Sequence, residues 1–168
     1  MMKYPDKNQT IAMIWKSLQG CGKNITLQLF DTMMGHNYYE STEDPEVFFG
    51  THTEIYMNKI MLNFDETSGK DTFSKNERIK GMITRKKIPI NMKNIRPFNI
   101  SNFVHWIFTT NNDCPVEIAP DDRRFAMFEL TEAFQNNREY YTGFLALCDE
   151  HHPNWTALSV FYDYLKEE

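Results

Sequence analysis

Gly20-Cys21-Gly22-Lys23-Asn24 joins the residue types that hold a phosphate. Glycines let backbone N–H groups turn toward anionic oxygens, and a helix starting at Lys23 would add the favourable field of its N-terminus. The Lys23 ammonium would then reach the β- and γ-phosphates of a nucleotide. The pattern GxxxxGK(S/T) is departed from at both ends: Ser17 stands in place of the first glycine, and Asn24 in place of the hydroxyl that binds magnesium. If position 17 required a positive φ, its Cβ would cost about 1–2 kcal/mol. Asn24 can offer Mg2+ a neutral amide oxygen instead. The nucleotide-binding candidates are therefore Ser17, Gly20, Cys21, Gly22, Lys23 and Asn24, with ATP and Mg2+ as the implied ligands. A plain glycine turn capping a helix would use the same residues.

Four further groups have chemistry open to them. Asp65-Glu66 closes an apolar run, where phosphoryl transfer needs one carboxylate on the metal and a residue that positions the attacking water. By chain position Asp65 takes the metal and Glu66 the water; two loop acids are the plainer reading. Asn111, after Thr109-Thr110, can hydrogen-bond a γ-phosphate or the lytic water, or simply make an Asx turn. Arg123-Arg124 precedes another apolar run and fits an arginine finger aimed at a neighbouring subunit's γ-phosphate, or a solvated pair beside Asp121 and Asp122. Arg85-Lys86-Lys87, Lys93 and Arg96 form the basic stretch that can track a DNA backbone, although edge hairpins also carry lysines against aggregation.

These residues sit at the ends of recognisable elements. Ile11 to Trp15 is a compact apolar run suited to a buried strand. From Lys23 to Met34 the apolar positions Ile25, Leu29, Phe30 and Met33 recur at helical spacing, with Gly35 as the stop. Residues 40–46 read as an exposed loop, Ile60 to Phe64 as a second strand, Thr67 to Lys75 as polar loop and Glu77 to Thr84 as a helix. Ile88 to Ile100 reads as a β-hairpin with Asn91-Met92-Lys93-Asn94 at its tip. Phe103 to Phe108 and Phe125 to Leu130 are further strands, and the tail from Glu139 is mainly helical with a break at His151-His152-Pro153. Strands separated by helices, with polar residues at their carboxyl ends, predict an α/β sheet with its site along that edge.

Bulk properties narrow the classes. With 168 residues, 41% of them hydrophobic and 14% aromatic, the chain can bury a core and is too apolar for a disordered one. A net charge of −5 excludes an electrostatic grip on nucleic acid by the whole surface, so any DNA contact is a local patch. Cys21, Cys114 and Cys148 form no CxxC pair, which argues against a disulfide framework or zinc site and for a reducing compartment. No run approaches a membrane span or a signal h-region, so the expectation is an intracellular protein without a membrane partner.

The order of the groups carries more than any one of them. Gln19 to Asn24, Asn63-Phe64-Asp65-Glu66, Ile79 to Thr84, Lys93, Phe108-Thr109-Thr110-Asn111 and Asp122-Arg123-Arg124-Phe125 resemble superfamily 3 helicases, specifically the poxvirus-type primase-helicase group of large DNA viruses, virophages and phages. The resemblance spans roughly residues 11 to 130. It implies a P-loop NTPase (AAA+-like) core with a mostly parallel sheet, a hairpin insertion and a helical tail. It also implies Mg-ATP hydrolysis between subunits of a homo-oligomeric, usually hexameric ring, and a hairpin that draws single-stranded DNA at a replication fork. On this reading Lys23 contacts phosphate, Asp65 the metal and Glu66 the water, Asn111 senses the γ-phosphate, Arg124 is the finger, and Lys93, with Lys86, touches DNA.

Members usually carry an N-terminal helical collar, whereas here the first strand begins about ten residues in. The expectation is an isolated ATPase domain, a truncation or one piece of a split protein. Residues 1–138 would form the core and 139–168 a helical extension of the same domain. It would work in the cytoplasm or nucleus of a virus-infected host, or in the cytoplasm as a phage or mobile-element protein. Two other functions stay open: a nucleotide-binding assembly or adaptor module with little hydrolysis, motivated by Ser17 and Asn24, and a non-catalytic remnant acting through Tyr38-Tyr39, Phe48-Phe49 and Phe161-Tyr162-Tyr164.

Overall fold

A computed structural model of the chain describes residues 7, 9–65, 75–112, 118–119, 121–149, 151 and 155–167. The apolar runs become strands β1 (Ala12–Lys16), β3 (Met61–Phe64), β6 (His105–Thr110) and β7 (Phe125–Glu129), joined by an edge strand β2 (Tyr39–Thr42). All four pairings are parallel and the order is β2-β3-β6-β1-β7. A separate antiparallel hairpin pairs β4 (Lys87–Ile90) with β5 (Phe98–Ser101). Its turn takes Asn94 to φ 62, a conformation asparagine tolerates.

Period-two alternation sends successive side chains to opposite faces, and both faces of the central strands β3 and β6 are covered, while the edge strand β7 leaves Met127 and Phe128 exposed. On one, helix α1 (Lys23–Met34) packs Leu27 against Met61 and Ile107, with Trp15 and Phe30 beside them. On the other, Ile14, Leu62, Phe64, Trp106 and Phe108 meet the short helix α2 (Pro45–Phe49), helix α3 (Asn76–Thr84) and β4. Trp106 lies stacked between Phe49 (5.5 Å, 23°) and Phe108 (5.8 Å, 19°). Each such aromatic pair contributes about 0.5–1.5 kcal/mol beyond area burial. Two tail helices follow, α4 (Arg138–Leu147) and α5 (Trp155–Glu167), of which α4 seats on α1. No helix among the described residues is long and apolar enough to cross a membrane.

Several boundaries differ from the sequence reading, most of them by one residue. Residues 40–46 are not an exposed loop: they hold most of β2 and the start of α2. Four half-exposed residues show no period, and the partner of β2 lies about twenty residues on, in the register Tyr39 with Met61. The helix signal was local, since the Asp44 side chain accepts from the Glu46 N–H at 2.8 Å and Pro45 opens the turn. The strand expected at Phe103 to Phe108 runs from His105 to Thr110, because Phe103 is exposed while Thr109 and Thr110 are buried and pair with Trp15 and Lys16 of β1. The first strand likewise ends one residue later than expected, at Lys16. Helix α1, its Gly35 stop, the hairpin and the helical tail form as expected. The expected polar loop at Thr67 to Lys75 lies almost wholly outside the described residues, as do Cys114 and most of the break at His151-His152-Pro153.

Candidate functional site

The chain leaves β1 through Ser17 and α1 toward the β2 edge, whereas from β6 it crosses β1 to reach β7 on the other side. Strand order reverses between β1 and β6, and an open parallel sheet binds its ligands at such a crevice, outside the strands' carboxyl ends. Ser17 follows β1 and Asn111 follows β6, so both stand at that point.

Lys23 closes the crevice. Its Nζ donates to Asn111 Oδ1 at 2.6 Å, to Ser17 Oγ at 2.8 Å and to the Ser17 carbonyl at 3.2 Å. Ser17 is buried and is not among the residues with positive φ, so the strain considered for that position does not arise. The left-handed positions are Gly20 and Gly22, both at φ 83, where glycine avoids the cost of a Cβ. Gly22 caps α1 without a side-chain bond, so the first N–H groups of the helix are not satisfied by a capping side chain, and Lys23, Asn24 and Ile25 line the crevice.

One strand further along, Asp65 ends β3. Its carboxylate accepts from Thr109 Oγ1 at 2.5 Å and from Asn24 Nδ2 at 3.1 Å. The Asn24 amide, the Asp65 carboxylate and the Thr109 hydroxyl thus cluster in direct hydrogen-bond contact, each group carrying a hard oxygen. That donor set fits Mg2+, which binds through one or two carboxylates and otherwise keeps water and phosphate oxygens. The Asn24 amide would turn its oxygen inward to take part, an orientation the hydrogen-bond network decides. Glu66 lies outside the described residues.

Around these groups opens a cavity of about 560 Å³ whose far wall comes from the tail. Asn136, at φ 56, donates its N–H to the Gly20 carbonyl at 3.0 Å, and Gln135 Nε2 donates to the Gln19 carbonyl at 2.8 Å. Asn137 then caps α4 by accepting from the Tyr140 N–H at 3.0 Å. The helix carries Tyr141 onto the loop, where a Cβ on Gly22 would stand 2.3 Å from its ring. Partial burial, and then Cys21 and Tyr140, push the Tyr141 phenol above its ordinary range. Arg138, Tyr141 and Leu145 line the cavity. The sequence offered no sign of these three beyond a helical pattern, nor of Thr109 as the partner of Asp65.

Two expected groups stand elsewhere. Arg124 precedes β7 at the amino end of the sheet, where its carbonyl accepts from the Ala12 N–H at 2.7 Å. It is one strand length, roughly 15 Å, from the crevice end. Its guanidinium is partly exposed beside Asp122 at 3.5 Å, so a finger role is open to it only toward another subunit's site. Lys93 is exposed at the hairpin turn and Lys86 at the hairpin base.

The chain belongs to the family of unknown function DUF5906, whose model matches residues 15–124. The DNA primase-polymerase of Nitratiruptor phage NrS-1 is 29% identical over 161 residues, covering 85% of this chain and 22% of the phage protein. Two apo structures of the NrS-1 C-terminal region share the fold. One gives a TM-score of 0.72 at 26% identity, covering 84% of this chain and 35% of that one. The other gives 0.71 at 24% identity, covering 85% and 36%. The chain is therefore a relative of that C-terminal region and spans about a fifth of the whole phage protein.

Proposed function

We propose that this chain is the motor domain of a viral or mobile-element DNA replication protein, hydrolysing Mg-ATP in the manner of superfamily 3 helicases. The observation that carries this reading is the Lys23–Asn111 contact across the switch-point crevice, with Asp65 and Asn24 one strand away. Kinship with a phage primase-polymerase supports a place in DNA replication.

In this reading Lys23 holds the β- and γ-phosphate oxygens, and the glycine loop's N–H groups cradle the phosphates between them. Asn24 and Asp65 would hold the magnesium, which would supply neutralisation of the phosphate charge. Glu66 orients a water whose oxygen bonds to the γ-phosphorus as the bond to the ADP oxygen breaks; its proton passes to solvent or phosphate. Asn111 holds Lys23 before the nucleotide arrives and touches the γ-phosphate afterwards. Arg124 reaches the γ-phosphate of a neighbouring subunit in a homo-oligomeric, hexameric ring. The basic hairpin, through Lys93 and Lys86, moves single-stranded DNA. Residues 139–168 belong to the same domain.

The test is steady-state phosphate release from Mg-ATP across a protein titration, with and without single-stranded DNA, beside Lys23→Ala. The motor reading expects turnover that rises faster than linearly with protein, grows with DNA and vanishes in the variant. Tight ATP binding with no Glu66-dependent release would replace it with a nucleotide-gated assembly module.

A further inference from the structure

The matched family stretch ends at residue 124, and the far wall of the cavity is built by residues beyond it. Three independent ties fasten that wall to the glycine loop: Asn136 to Gly20, Gln135 to Gln19, and the Tyr141 ring against Gly22. They set the direction of α4 across the pocket. Its start lies with Gln19 and Gly20, at the loop's beginning, and its next turn lies over Gly22, where α1 begins.

At helical spacing, Arg138, Tyr141 and Leu145 share one face of α4, and all three line the cavity. Their chemistry grades from cationic through aromatic to aliphatic. Arg138 is exposed and has no ion pair with another described residue, while Leu145 is 41% exposed although it is a large apolar group. An open guanidinium beside a phosphate loop, followed by exposed apolar surface, is what a nucleoside triphosphate presents in reverse: charge at one end, a flat apolar base at the other.

We propose that α4 is the second wall of the nucleotide site, with Arg138 binding the terminal phosphate in cis and Tyr141 and Leu145 receiving the nucleoside. This rests on the phosphate-binding reading of Lys23. It assigns the tail a binding role: the bound nucleotide bridges the loop and α4 and holds them together.

Binding of ATP, ADP and inorganic tripolyphosphate, each with Mg2+, is measured by calorimetry on the full chain and on Lys23→Ala, Arg138→Ala and Leu145→Ser. Arg138 and Leu145 are solvent-facing, so both variants are expected to fold, which thermal unfolding checks. Arg138→Ala is expected to weaken ATP and tripolyphosphate about tenfold and ADP far less, as loss of one charge-assisted contact requires. Leu145→Ser is expected to weaken ATP and ADP alike, about fivefold, and leave tripolyphosphate unchanged. Wild-type affinities in both variants, with binding lost in Lys23→Ala, would overturn the second wall while leaving the loop's role intact. Failure of the unaltered chain to bind any of the three would overturn the phosphate reading and this proposal with it.

Discussion

The Lys23 ammonium and the Asn111 amide oxygen meet at 2.6 Å, joining residues 88 positions apart in the chain. Lys23 ends the connection leaving β1 and Asn111 begins the one leaving β6, so the contact exists only because those strands are neighbours. Losing the Asn111 amide leaves Lys23 its Ser17 contacts but removes the group proposed to touch the terminal phosphate. Asn111→Ala is expected to bind ATP within a few-fold of the unaltered chain and to lose about a hundredfold in turnover. Equal loss of affinity and turnover would show that Asn111 serves binding alone.

Arg124 stands at the end of the sheet opposite Lys23, so it cannot serve the site of its own chain. Arg124→Ala is expected to keep nucleotide binding and to lose turnover by about a thousandfold or more. Mixed one to one with Lys23→Ala, each inactive alone, it should recover roughly a quarter of wild-type turnover by random assortment around a symmetric ring. Wild-type turnover by Arg124→Ala alone would end the finger assignment.

Gly22 has φ 83, and a Cβ there would stand 2.3 Å from the Tyr141 ring. Gly22→Ala is expected to cost about 2 kcal/mol in left-handed strain and collision, lowering Tm by about 4–8 °C. Adding Tyr141→Ala should return the steric part only. An unchanged Tm would mean that α4 is not seated on the loop.

His105 is buried at the start of β6, its Nε2 without a hydrogen-bond partner among the described residues, and burial lowers its pKa to about 4. The unfolded chain, with histidine near 6.5, binds the proton first as pH falls. The contribution of neutral His105 is therefore fully present above about pH 6.5 and lost toward pH 4, amounting to about 3 kcal/mol. Denaturant midpoints measured from pH 7.5 to 4.5 are expected to fall less in His105→Gln than in the unaltered chain. Parallel curves would show that His105 titrates normally.

Lys93 sits exposed at the hairpin turn, away from the core. Lys93→Ala is expected to leave Tm and basal turnover unchanged, to weaken DNA stimulation and to reduce the salt slope of single-strand binding by about 0.7. An unaltered slope would place the DNA contact elsewhere.

Local chemistry alone determined much of this protein. The apolar spacing and Gly35 bounded α1, the apolar runs located four of the five sheet strands, and Gly20-Cys21-Gly22-Lys23 marked the loop that needs positive φ. Such signals are readable because helix period, strand period and glycine's freedom act over a few neighbouring residues. Tertiary structure decided the rest. The edge strand β2 depends on a partner about twenty residues away, Ser17 escapes strain through a backbone path that no residue type announces, and Thr109 finds Asp65 only after β3 and β6 pair. The far wall of the cavity is the extreme case. Arg138 and Tyr141 look like an ordinary helical face until Asn136 and Gln135 bind the glycine loop and bring that face over the pocket. Contacts between distant segments follow from which faces must be buried together, and that choice belongs to the whole sheet.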